Sequence, residues 1–102
     1  MSANTEKVTA ALARILKNTE EELKIKENTA GPLKANPYSR LIIEKKWNTG
    51  FFLKEYLLIQ EKKSSLPSSL RQVIVSAVST AIYEVAKAEH EKKEKEKEIK
   101  SE

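Results

Sequence analysis

The groups in this chain best able to do chemistry are one imidazole, His90, and fifteen carboxylates that are all glutamate; there is no cysteine. Zinc is held by Cys, His or clustered carboxylates, and a nucleophilic triad needs Ser or Cys with a positioned His and its orienting partner. A single histidine, between Glu89 and Glu91 in a lysine-rich segment, assembles neither. Glu20, Glu21 and Glu22 are consecutive, and on a helix consecutive side chains diverge by about 100°, so they do not converge on one ion. A helix start at Thr19, where negative charge is favoured, would account for them better than a metal site. The expectation is a protein without catalytic residues, metal or cofactor, and with no small-molecule substrate.

A different chemistry, that of recognition, is concentrated between positions 45 and 56. Trp47, Phe51, Phe52 and Tyr56 place four of the six aromatic residues within ten positions, beside Lys45, Lys46 and Lys54. Aromatics desolvated within a polar, basic rim are how protein interfaces concentrate energy, and the same mixture can stack on bases and meet phosphates. The competing use is internal, because in a small domain aromatic rings dominate core burial. These seven residues are the candidate partner-binding set.

Charge is unevenly spread. Residues 1–33 and the tail Lys87–Glu102 are each balanced, while Lys34–Arg71 holds eight basic residues against three glutamates. An electrostatic partner therefore meets the middle of the chain. The pairs Lys45-Lys46 and Lys62-Lys63, with Arg40 and Arg71, could line a phosphate-contacting stripe. An excess of five over that stretch is thin for a dedicated nucleic-acid binder, so nucleic acid is the second expectation, behind protein.

The elements that must position these groups read as helices. Val8, Ala11, Leu12, Ile15, Leu16, Thr19 and Leu23 recur at i, i+3, i+4, i+7 behind a cap at Asn4 or Thr5. Thr19-Glu20-Glu21-Glu22 matches a capping box, but the periodicity runs through it and favours one helix, ended by Gly31-Pro32. Asn36-Pro37 opens a second helix through Tyr38, Leu41 and Ile42. Asn48-Thr49-Gly50 then breaks it, with a third helix from about Phe51 burying Phe52, Tyr56 and Ile59. The alternative at this point is a hairpin joining strands 41–47 and 51–59, which the unalternating Leu41-Ile42-Ile43 and Leu57-Leu58-Ile59 disfavour.

From Ser68 to Glu102 there is neither glycine nor proline. Leu70, Ile74, Ala77, Val78, Ala81, Ile82, Val85 and Ala88, widened by Val73 and Ala86, form an apolar face too broad for one neighbour. The small residues among them, Ala77, Ala81 and Ala88 with Ser76, suit close helix packing within the monomer or against a second copy. Past Ala88 the chain alternates Lys and Glu, a solvated helix.

The fold expected is all-α, a small three- or four-helix antiparallel bundle over residues 1–88, with a protruding charged C-terminal helix over 89–102. In size and basic character the chain is also similar to the bacteriocin immunity proteins, small helical bundles, but shares no motif that would assign it to them. The absence of cysteine, of an apolar leader and of any uncharged run of membrane-spanning length points to a cytoplasmic setting without membrane insertion. The function expected is a non-enzymatic interaction or assembly module, its partner another protein or a second copy of itself.

Overall fold

The computed structural model describes the backbone of residues 3–30 and 37–100 and the side chains of residues 5–23 and 38–95. Over the described residues it is an all-α bundle of four helices: α1 (Ala3–Ala30), α2 (Pro37–Ile43), α3 (Thr49–Gln60) and α4 (Ser68–Lys100). The expected glycine-proline stop and the Asn36 cap lie outside the described residues. No described helix is long and apolar enough to cross a membrane.

α1 passes without interruption through the capping-box motif at Thr19, as its apolar series implies. It begins at Ala3, so Asn4 and Thr5 sit inside the first turn and not ahead of it. Alanine propagates helix readily, and helix ends move by a residue without changing what is packed. The middle of the chain is helical on both sides of a break, and no hairpin forms. Asn48 is the N-cap of α3: its backbone is extended, with φ −150° and ψ 157°, and its side chain accepts the Phe51 amide at 2.8 Å.

α2 and α3 stop in the same way. The Lys45 amide bonds the Ile42 carbonyl and the Lys46 amide that of Leu41; seventeen positions on, Lys62 bonds Ile59 and Lys63 bonds Leu58. This is the paired arrangement that closes a helix on a left-handed residue, usually glycine. Here lysine occupies it, with φ 61° at both Lys45 and Lys62.

The core is made by Leu12, Leu16 and Leu23 of α1, Leu41 of α2, Phe52 of α3, and Leu70, Val73, Ile74, Val78 and Ala81 of α4. Among the described residues no polar or charged side chain is buried, so hydrophobic burial drives the assembly. α4 touches all three other helices. It runs antiparallel to α1, since Lys7 pairs with Glu89 and Arg14 with Glu84. The molecule measures 57 × 36 × 19 Å. With a helix about 10 Å across, the thin dimension holds two layers, and the exposure of Gln72, Ser76, Ser79 and Tyr83 shows that the far side of α4 is bare.

Candidate functional site

At the corner where the α2–α3 link crosses α1, the aromatic set is drawn inward. The Trp47 Nε1–H donates to the Leu16 carbonyl at 2.9 Å. The Trp47 ring meets Phe52 edge-on at 5.1 Å and Tyr38 edge-on at 5.9 Å, and Phe51 meets Phe52 at 6.3 Å. These are the geometries that ring quadrupoles favour. Phe52 is fully buried, and Trp47, Phe51 and Tyr56 are half-buried against the core. The structure therefore divides the seven candidate residues: Phe52 and the inner face of Trp47 hold the fold together, while Phe51 and Tyr56 keep partial exposure.

Lys45, Lys46 and Lys54 are exposed, and Lys46 is engaged by an acid and a ring. The Lys46 ammonium lies 3.6 Å from Glu44 and 5.8 Å from the centre of the Phe51 ring. Glu44 also takes Arg40 at 3.5 Å, and Lys63 lies 3.8 Å from Glu61. Acids thus accompany Arg40, Lys46 and Lys63, three of the six cations that a phosphate stripe would use, and both lysine pairs double as helix ends.

α4 departs from expectation over its second half. Leu70, Val73, Ile74, Val78 and Ala81 are buried, whereas Ile82 is 42% exposed and Ala86 and Ala88 lie at the surface. The reason is steric supply. Toward α1 the facing residues Ala10 and Ala11 are small, which leaves Ala88 at the surface beside a groove of about 480 Å³ floored by these alanines, Val85 and Ala88, while Ile82 and Ala86 lie on the other side of α4, away from that groove. The Lys7–Glu89 and Arg14–Glu84 pairs stand along this groove. The Lys7 hydrogen bond, and then its charge, holds the Glu89 carboxyl below the usual glutamate value, with Lys93 and Lys92 adding a smaller pull.

The outward side of α4 is the more unusual surface. In a chain that is 33% charged, the twelve residues from Gln72 to Tyr83 carry no charge at all. Those turned to solvent are Gln72, Ser76, Ser79, Thr80, Ile82 and Tyr83, and Tyr83 is 65% exposed. The outward residues of α1, by contrast, include Glu6, Lys7, Arg14, Lys17, Glu21 and Glu22. A shallow depression of about 380 Å³ between Ile59 of α3 and Arg71, Gln72, Val75 and Ser76 of α4 opens on this face. Neither Ile82 nor Tyr83 was singled out as a surface residue by helical periodicity, yet the charge-free run that marks their face is visible in the sequence.

Ile43 and Leu57 are the other large apolar side chains in solvent, 74% and 63% exposed. Leu57 is isolated between Lys54 and Glu61 on the outer line of α3, and single exposed apolar residues are ordinary. Among the described residues no group of three His or Glu side chains is placed to share a metal ion. No protein family, no curated protein and no solved structure matches the chain.

Proposed function

We propose that the protein is a non-enzymatic interaction or assembly module that docks through the outward face of α4. The observation that carries this reading is the charge-free exposed line from Gln72 to Tyr83, with Ile82 and Tyr83 in solvent. Depletion of charge around an exposed aromatic and an exposed aliphatic side chain, Tyr83 and Ile82, is a compositional mark of a protein interface. The basic groups Lys45, Lys46 and Lys54 lie off this face, on the α2–α3 link and on α3, and act at most as a rim that steers approach.

A photoreactive phenylalanine analogue in place of Tyr83, illuminated in cells that make the protein, tests this. The expected result is a discrete adduct that disappears when Ile82→Glu is added, while the same probe at Leu57 gives none. An absence of adducts at Tyr83 above the level found at Lys17, an outward position on the charged side of α1, overturns the proposal.

A further inference from the structure

We propose that the occupant of this face is a second copy of the chain, the two α4 helices packing antiparallel about a two-fold axis between Ser79 and Ile82. The inference rests on the docking reading above and names its partner. An interface between identical chains must be complementary to itself, and this one is. Gln72, Val75, Ser79, Ile82, Ala86 and Glu89 are spaced alternately three and four apart over eighteen residues, so they form one stripe along α4, with Val75, Ile82 and Ala86 as its apolar members. In the antiparallel arrangement Ser79 faces the partner's Ile82 and Val75 faces the partner's Ala86, each a small residue against a larger one.

Charge selects the same arrangement. Arg71 adjoins the neutral run and Glu89 lies six residues beyond its other end, past Glu84 and Lys87, so the two are eighteen residues apart. Eighteen residues make five turns, so both lie on one flank of α4 about 27 Å apart. The antiparallel two-fold brings Arg71 of each copy beside Glu89 of the other, forming two ion pairs; a parallel pairing would set Arg71 against Arg71 and Glu89 against Glu89. Lys7 engages Oε1 of Glu89, and Oε2 is the oxygen that the second guanidinium meets. The depression beside Ile59 and Gln72 lies where the partner's Ala86 and Glu89 would enter. An acidic or basic foreign partner would find no charge to meet along the middle of the face. A contact one helix wide is small beside standard interfaces, so the dimer is a weak, exchanging one.

Because the chain has no cysteine, single cysteines introduced at exposed positions report the geometry directly. With a short bis-maleimide, Ser79→Cys is expected to link to itself, Gln72→Cys and Ala86→Cys are each expected not to, and an equimolar mixture of those two is expected to link. In sedimentation equilibrium, Arg71→Glu should weaken the dimer roughly tenfold or more, and Arg71→Glu with Glu89→Arg should restore it. Self-linking at all three positions would indicate parallel or unspecific contact and overturn the proposal, as would a wild-type monomer at every concentration or a charge exchange that fails to rescue. A monomer that still gives Tyr83 adducts of a mass other than twice the chain would remove the second copy as occupant and leave the docking reading standing.

Discussion

Trp47 and Leu16, thirty-one positions apart, are joined by a hydrogen bond from the indole Nε1–H to a main-chain carbonyl in the middle of α1, 2.9 Å long. A carbonyl has two lone pairs, so Leu16 can serve its own helix and the indole together. This contact pins the α2–α3 link to α1 and sets the depth at which the ring meets Phe52 and Tyr38.

Trp47→Phe keeps a ring but removes that donor. It should lower stability by about 1–2 kcal/mol, the net value of one hydrogen bond plus some lost packing. Phe52→Ala, at a fully buried site, should cost about 3–5 kcal/mol. Urea unfolding followed by circular dichroism reads both; equal effects from the two would show that Trp47 is as deeply held as Phe52.

The start of α3 depends on one side chain. Asn48→Ala should cost about 1 kcal/mol, because the Phe51 amide loses its acceptor. Gly50→Ala should be neutral or stabilise by up to about 1 kcal/mol, since helix geometry favours alanine. An added Cβ would meet only the Asn48 Oδ1, at an ordinary 3.5 Å. Thermal unfolding of both variants checks the pair, and a destabilised Gly50→Ala would mean that the break needs the glycine after all.

Lys45 and Lys62 hold left-handed backbone that an L side chain tolerates poorly, each at φ 61°. Replacing either by glycine should raise stability by about 1 kcal/mol despite the added freedom of the unfolded chain. The two changes should add, because they sit at the ends of different helices. A loss on either substitution would show that the lysine side chain contributes more than its backbone strain costs.

Glu89 titrates below the ordinary glutamate value because Lys7 donates to it and sits beside it. A carboxyl lowered by folding contributes stability that is present above its unfolded pKa and lost as pH falls through the folded one. The contribution is small at this surface site, since solvent screens the pair. In a carbon-detected NMR titration, Lys7→Gln should move the Glu89 midpoint upward, and an unchanged midpoint would locate the cause elsewhere.

Much of the fold was legible because helix burial leaves a periodic trace: Leu12, Leu16 and Leu23, and then Leu70, Ile74, Val78 and Ala81, are both spaced on one side and buried. The break before Phe51 was legible from Asn48, whose side chain is chemically suited to cap. The helix ends at Lys45 and Lys62 were not, since lysine carries no signature of left-handed backbone and its pairs read equally well as phosphate contacts. Trp47 was ambiguous because its depth depends on a carbonyl thirty-one residues away, a tertiary fact. Ile82 shows the limit of periodicity: an apolar pattern tells which side of a helix is greasy, but not whether enough neighbours arrive to cover all of it.

α4 is the common wall of the bundle, and it is also the last of the four helices to leave the ribosome. At about 5–20 residues per second, roughly 2–8 s separate the completion of α1 from the first residue of α4. Throughout that interval Leu12 and Leu16, joined by Leu41 and Phe52 as these are made, lack the surface that will enclose them. Folding of this bundle therefore waits for synthesis of α4, and a nascent chain stalled before Ser68 offers those side chains to chaperones or to other unfinished copies.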